Sequence, residues 1–205
     1  MNASPSTPAR GRPRASSRAV LEEAASELFL EQEYARTSVD QIARRAGVSR
    51  GTFFNYFASK ADVFWGDVDA QLDRLPDLLG ASDSEPAVAI EAALTEMARN
   101  FGPDRVPWIL NHFEAIGSPD EVLAAATRRV TRAAESLRAF VAERTNAHPQ
   151  DLGVALTVNT ALALVLSAVQ SWIAAGPSRG GLDGHLALVA AMRRGGDADA
   201  TGSVR

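Results

Sequence analysis

The sequence predicts an all-α protein with two parts, a three-helix head that carries a helix-turn-helix and a larger helical body behind it. Apolar residues recur at helical spacing in most segments, and no run alternates with the period of two that is typical of half-buried strands. Helix caps and glycine or proline breaks separate the segments. We place the head at residues 1–60 and the body at 61–205, and we expect about nine helices.

The first helix of the head begins near Arg18, after an arm rich in Ala, Ser, Pro and Arg that reads as disordered. Its apolar residues fall on one stripe, at Leu21, Ala24, Ala25, Leu28 and Phe29. The arginines of the preceding arm, Arg10, Arg12 and Arg14, fit either a minor-groove contact or a solvated tail, and the sequence leaves both interpretations open.

Two short helices follow, and both have clear start signals. Ser38 and Gln41 form a capping box at the start of the second helix, and Gly47 ends it because glycine accepts the left-handed conformation beyond a C-terminus. The buried face of this helix is expected to consist of Val39, Ile42, Ala43 and Ala46. Ser49 caps a third helix that runs to about residue 57, with Phe53 and Phe57 facing the core.

The body is predicted to be helical throughout. Ser59 caps a fourth helix that reaches about residue 79. A proline at the start of the next segment indicates a fifth helix over residues 86–100. A shorter helix is expected over 106–116, and Ser118-Pro119-Asp120-Glu121 starts a long one that ends near 144. Two more helices cover about 149–175 and 182–194, with a glycine-rich loop between them.

Composition limits the class of protein. The 205 residues include no cysteine, which excludes disulfides, thiolate metal sites and cysteine nucleophiles and favours a cytoplasmic protein. Residues 1–60 hold nine Lys/Arg and six Asp/Glu, a net charge of +3, whereas residues 61–205 have a net charge of −7. A basic head on an acidic body suggests that only the head meets a polyanion. The longest apolar stretch, 154–175, is broken by polar residues, so we expect an interface helix and no membrane span.

The turn Gly47-Val48-Ser49 joins two short capped helices, which is typical of a helix-turn-helix. The second helix of such a pair lies in the major groove with its first residues at the base edges. Those residues are Arg50, Gly51 and Thr52, and arginine can donate to O6 and N7 of one guanine. The alternative is a three-helix module that binds no DNA. An arginine and a glycine at the start of a capped helix have no rationale in stability, which favours DNA binding.

Residues 37–60, TSVDQIARRAGVSRGTFFNYFASK, resemble the DNA-binding signature of the TetR family. The resemblance implies an all-helical dimer that usually represses transcription and releases DNA when a small molecule binds the body. It also implies that Arg50, Gly51 and Thr52 approach bases and that Ser38, Tyr56 and Lys60 meet phosphates. Phe54 stands where the family commonly has tyrosine, so that phosphate contact is not carried over. The candidate DNA-binding residues are Ser38, Arg44, Arg45, Ser49, Arg50, Gly51, Thr52, Asn55, Tyr56 and Lys60.

The body resembles one TetR branch more weakly. Ala58-Ser59-Lys60-Ala61-Asp62, Trp65-Gly66-Asp67-Val68-Asp69 and Ser171-Trp172 are similar to the branch that includes the mycofactocin regulators, which is associated with acyl-CoA-like ligands. Most bulky side chains of the body are expected in the core, and some line a cavity between helices. The candidate ligand-binding residues are Trp65, Trp108, His112, Phe113, Phe140 and Trp172, although His112 also fits a helix surface.

Small residues on the helix over 149–175 allow another helix to approach closely, so we expect a homodimer through this helix and the last one, with Ala161 or Ala168 in the seam. The expected partners are double-stranded operator DNA, a small-molecule effector and a second copy of the chain. No convergent catalytic set indicates an enzyme, nothing pairs His148 with His185 as metal ligands, and we expect no cofactor. A constitutive DNA-binding protein without an effector is the second hypothesis.

Overall fold

The computed structural model describes residues 17–103 and 119–202, and within these ranges the chain forms eight α-helices and no strand. It divides into two compact units, one up to Val63 and one from Phe64 onward. Short 3₁₀ turns cover Lys60–Trp65 and Gly176–Ser178. The helices are α1 (Ser17–Gln32), α2 (Val39–Arg45), α3 (Arg50–Phe54), α4 (Gly66–Gly80), α5 (Pro86–Ala98), α6 (Pro119–Thr145), α7 (Leu152–Ala174) and α8 (Leu182–Gly202).

The first unit has its core on the predicted stripe of α1. All five residues of that stripe are buried, and so are Phe53 and Phe57, whose ring centroids lie 5.3 Å apart. The capping box of α2 is present, since Ser38 Oγ accepts from the Gln41 amide at 3.2 Å and Gln41 Oε1 accepts from the Ser38 amide at 2.7 Å. Gly47 has a φ of +70°, the conformation that its position after the helix requires.

Several predicted helix boundaries are corrected by local hydrogen bonds. α3 ends at Phe54 rather than 57, because the amides of Tyr56 and Phe57 both donate to the Phe53 carbonyl in a turn. The helix expected from Ser59 begins as the 3₁₀ turn and becomes an α-helix only at Gly66. On α2, Ile42 and Ala43 are buried, whereas Val39 and Ala46 are half-buried.

Further differences lie in the second unit. α7 begins at Leu152 because the His148 amide donates to Asp151 Oδ2 at 2.9 Å, which closes a turn before the helix. α8 extends to Gly202, beyond the predicted end near 194. The helix predicted over 106–116 lies outside the described residues.

The core of the second unit lies among α4, α5, α6 and α7. Each helix contributes small or branched apolar side chains, which allows the four to approach closely. A second cluster of buried apolar residues consists of Ala98, Ala168 and Leu186, through which α8 packs against α5 and α7. The main core consists of Leu75, Leu79, Ile90, Ala93, Ala134, Leu137, Val141, Ala142, Val154, Val158 and Ala161.

Within the described ranges, α7 is the one helix long and apolar enough to cross a membrane. Val154, Val158 and Ala161 on one side of it pack in the core. The opposite side exposes Leu152 and Leu156, which fits the interface helix expected from the sequence better than a membrane span.

Candidate DNA-binding surface and effector cavity

The start of α3 is shaped by Ser49, Gly51 and Thr52. Ser49 Oγ accepts from the Thr52 amide at 3.0 Å and lies 2.9 Å from the Thr52 hydroxyl, so the two side chains are engaged with each other. A Cβ added to Gly51 would meet only Ser49 Oγ, at an ordinary 3.6 Å. Glycine costs about 1 kcal/mol in a helix relative to alanine. Packing within the first unit therefore does not require a glycine at this position.

Arg50 is exposed, yet it is held in place by two neighbours. Its NH1 donates to Asp40 Oδ2 on α2 at 2.8 Å, and its guanidinium carbon lies 5.3 Å from the centre of the Phe54 ring. The Phe54 ring is itself fixed edge-on against the buried Phe53, with centroids 5.4 Å apart. The guanidinium of the base-reading candidate therefore contacts both α2 and the Phe54 ring.

Arg45 bridges α2 to α1. Its guanidinium contacts Glu27 Oε2 at 2.9 Å and Glu31 Oε2 at 2.6 Å. The hydrogen bonds from Arg45 hold the pKa of the Glu31 carboxyl below its ordinary value and raise the pKa of the arginine further. Arg44, the neighbouring candidate, is exposed and has no side-chain hydrogen bond or ion pair within the described part of the chain.

Lys60 is half-buried, and its ammonium group binds the backbone of the segment before α2. Nζ donates to the Tyr34 carbonyl at 2.8 Å and to the Thr37 carbonyl at 2.9 Å, and it lies 3.9 Å from the centre of the Tyr34 ring. This segment needs support, since Glu33 has a φ of +70°. Lys60 thus fixes the turn that leads from α1 into α2.

The remaining candidates of this unit, Ser38, Asn55 and Tyr56, are all exposed. The Ser38 hydroxyl is engaged in the capping box, and Asn55 caps α3. Tyr56 is 42% exposed, and its phenol is available to a partner outside the chain. The sequence did not single out Asp40, whose position opposite Arg50 depends on how α2 and α3 pack.

The second unit contains a cavity of about 530 Å³ among α4, α5, α6, α7 and the start of α8. Its walls are almost entirely apolar, with Leu75, Met97, Val130, Leu162 and Ile173 among them. Of the predicted ligand residues, Trp65 and Trp172 line this cavity. Phe140 does not, because it packs against the main core and lies under the guanidinium of Arg144. Trp108, His112 and Phe113 lie outside the described residues.

The polar groups at the cavity wall are few. Arg129 is 9% exposed, and its NH2 donates to Asp69 Oδ2 at 2.8 Å while its guanidinium carbon lies 4.9 Å from the centre of the Trp65 ring. Trp172 Nε1 donates to the Gly180 carbonyl at 2.9 Å. Trp65 Nε1 and Arg129 Nε are buried and make no hydrogen bond among the described residues, although Arg129 is bound through its other two nitrogens. The cavity therefore suits a ligand with an apolar body.

Comparison with known families fits both units. Residues 21–64 match the bacterial regulatory proteins of the TetR family, and residues 84–194, more than half of the chain, match the MftR C-terminal domain. The chain belongs to the TetR family. It is therefore a DNA-binding transcription regulator, and the members of this family are regulators rather than enzymes.

Three relatives illustrate the similarity. This TetR-family regulator is 31% identical over 165 residues to the MftR protein of Mycobacterium tuberculosis, assigned to the regulation of mycofactocin biosynthesis, and the match covers 80% of this chain and 83% of that protein. Over 63 residues it is 36% identical to the transcriptional activator FasR of Mycolicibacterium smegmatis, covering 31% and 29% of the two chains. The TetR-family repressor FadR of Thermus thermophilus, in complex with lauroyl-CoA, shares the fold with a TM-score of 0.51 at 24% identity, over 85% and 92% of the chains.

The regulator exposes several large apolar side chains on α7 and α8. Leu156 on α7 is 66% exposed, and Leu188 and Met192 on α8 are 55% and 69% exposed. We call this set, with Leu152, the α7/α8 face. Ala161 and Ala168, the seam positions expected from the sequence, are buried in the chain's own core instead. They face inward because the small residues of α7 also accommodate α5 and α8.

Residues 17–103 and 119–202 hold no cluster of three His, Cys, Asp or Glu side chains. His185 lies 2.9 Å from Ser171 Oγ through Nδ1 and 2.8 Å from the Arg179 carbonyl through Nε2. It connects α7, α8 and the loop between them, which is a structural role.

Proposed function

We propose that this TetR-family regulator is a homodimeric repressor that leaves its operator when a ligand with an apolar body fills the cavity of the second unit. The observation that carries the proposal is the 530 Å³ cavity with apolar walls. An apolar space of this size leaves part of its lining in contact with water, and a ligand with an apolar body would remove that surface from water. In a helical bundle such a space is the ordinary location for a small molecule.

In the DNA-bound state, Arg50 donates to O6 and N7 of a guanine, with Gly51 and Thr52 close to the same base edges. Among the other candidates, Ser38, Arg44 and Tyr56 are exposed and serve as phosphate contacts, while Ser49 and Asn55 border the groove. The charged atoms of the remaining two candidates, Arg45 and Lys60, are already bound within the first unit. We therefore assign both of them a positioning role.

The DNA-binding assignment is tested with a duplex selected from a random library by the full-length protein. Arg50→Ala should cost about 1–3 kcal/mol on this duplex and relax the preference at one base pair. Arg44→Ala should weaken binding to selected and random duplexes alike, because a phosphate contact carries no sequence information. If both variants lost the same affinity on both duplexes, Arg50 would not read a base.

For the ligand, we propose an acyl chain in the cavity, as in an acyl-CoA. The similarity to the MftR C-terminal domain and the lauroyl-CoA complex of the Thermus thermophilus protein support this class. The balanced Arg129–Asp69 pair supports it too, because the apolar part of the ligand then meets no unbalanced charge at that wall. Lauroyl-CoA should raise the unfolding midpoint of the full-length protein, since a ligand specific for the folded state stabilises it. No shift at saturating lauroyl-CoA would reject this class.

For the dimer, we propose that the α7/α8 face packs on the same face of a second copy. A two-fold dimer uses one patch twice, so apolar residues on two adjacent helices are enough to make a four-helix interface. The exposure of the face in a single chain supports this arrangement. Dimerisation sets the spacing of the two heads, and half-sites lie about one helical turn of DNA apart.

A further inference from the structure

We propose that Asp40 is a specificity-determining residue: its carboxylate holds Arg50 in the orientation that reads a base and keeps it from turning to a phosphate. The inference rests on the proposed function, in which Arg50 contacts a base pair. Asp40 lies in the first turn of α2 and Arg50 is the first residue of α3, so the contact spans the two helices of the helix-turn-helix.

The ion pair has little value for stability. Its side chains are 59% and 55% exposed, and pairs of that kind contribute only weakly to folding because water and salt screen them. By contrast, the Arg129–Asp69 pair of the second unit is largely buried. The Asp40–Arg50 pair is short, at 2.8 Å, but exposed, and it lies on the surface that we expect to meet DNA. We therefore explain it by its effect on the orientation of Arg50.

Phe54 provides the second constraint. It is 45% exposed and lies under the Arg50 guanidinium, while Phe53 fixes it from below. The guanidinium is therefore held between a carboxylate and a ring. Asp40 occupies NH1, which leaves the edge formed by Nε and NH2 to donate to O6 and N7 of a guanine.

Two physical effects turn this arrangement into specificity. A side chain that is ordered before binding loses less conformational freedom when it contacts a base. The carboxylate also weakens the attraction between Arg50 and phosphates, which every DNA sequence offers equally. The first effect strengthens the correct contact and the second removes a competing one, so both increase the difference between operator and random DNA.

The experiment uses the full-length protein and the selected duplex, together with three duplexes that carry the other base pairs at the position identified by Arg50→Ala. Asp40→Asn removes the charge and keeps the shape of the side chain. It should reduce discrimination among the four duplexes by roughly two- to fivefold and raise the affinity for random DNA. The matched control is Asp73→Asn, which breaks the similarly exposed pair with Arg132 in the second unit and changes the net charge equally. It should leave discrimination unchanged.

A double-mutant cycle separates the mechanisms. In an Arg50→Ala background, Asp40→Asn should no longer change discrimination, because Asp40 acts through Arg50. The same change in both backgrounds would mean that Asp40 contacts a base itself, and unchanged discrimination with Arg50 intact would mean that it has no such role. Either result overturns the inference and leaves the proposed function standing. If Arg50→Ala altered discrimination at no base pair, the proposed reading of DNA by Arg50 would fail instead.

Discussion

Lys60→Met distinguishes a positioning role of Lys60 from the phosphate contact that the family resemblance implies. Methionine keeps most of the apolar stem of lysine and removes the three ammonium donors. In the structure those donors bind the carbonyls of Tyr34 and Thr37, and the charge lies over the Tyr34 ring. The substitution therefore leaves two carbonyls to find other donors.

The magnitude follows from these contacts. A hydrogen bond to a charged group contributes about 1.5–3 kcal/mol, and the half exposure of Lys60 places each of the two near the lower limit. The contact with the ring adds about 0.5–1 kcal/mol. Because the three contacts share one ammonium group, they do not add fully. We expect Lys60→Met to lower the free energy of unfolding of the first unit by about 2–4 kcal/mol.

Two assays check this expectation in the full-length protein. Denaturant unfolding measures the loss of stability, and DNA affinity at several salt concentrations gives the number of phosphate contacts, each worth about 0.9 in the logarithmic salt slope. Lys60→Met should lose stability and keep the slope, whereas Arg44→Met should keep stability and lower the slope. Wild-type stability combined with a slope reduced by about 0.9 in Lys60→Met would refute the positioning role.

Three other predictions concern the dimer, the cavity and pH. Leu188→Arg should yield monomers with weak operator binding in sedimentation, while Leu30→Arg, at another exposed leucine, should remain dimeric; a wild-type monomer at micromolar concentration would contradict the interface. Ala133→Trp should occupy only part of the cavity, too little to displace the operator but enough to reduce the lauroyl-CoA shift; an unchanged shift would move the ligand elsewhere. Since Arg45 lowers the pKa of Glu31, this pair stabilises the fold above the ordinary value of 4.5 and loses its effect as pH falls through the lowered pKa. Arg45→Ala should flatten the loss of stability as the pH falls below the ordinary value of 4.5, measured by chemical unfolding, and an unflattened curve would exclude the pair as its source.

Much of the fold could be predicted because its signals are local. The capping box at Ser38, the left-handed glycine at Gly47 and the cap at Ser49 each depend on residues within a few positions of one another. The apolar stripe of α1 follows from helical periodicity in the same way. These signals fixed the helix-turn-helix and agree with the TetR-family membership.

The details that were missed depend on contacts between distant segments. Lys60 reaches carbonyls more than 20 positions earlier, and Arg45 binds glutamates on α1, so neither contact has a sequence pattern. The size of an aromatic side chain also does not show whether the side chain packs in the core or lines the cavity. Phe140 packs in the core whereas Trp65 and Trp172 line the cavity, because that distinction depends on which faces of α4, α6 and α7 meet.

The central claim is that a ligand bound in the cavity weakens operator binding. Operator affinity measured at increasing lauroyl-CoA concentrations tests this claim most directly. Release requires the ligand to bind the DNA-incompetent state more tightly, and couplings of about 1–3 kcal/mol are typical. Fluorescence anisotropy of the selected duplex should therefore show DNA binding about 5- to 150-fold weaker at saturating ligand in the wild type. Unchanged operator affinity, with lauroyl-CoA binding confirmed by calorimetry on the same sample, would contradict the account.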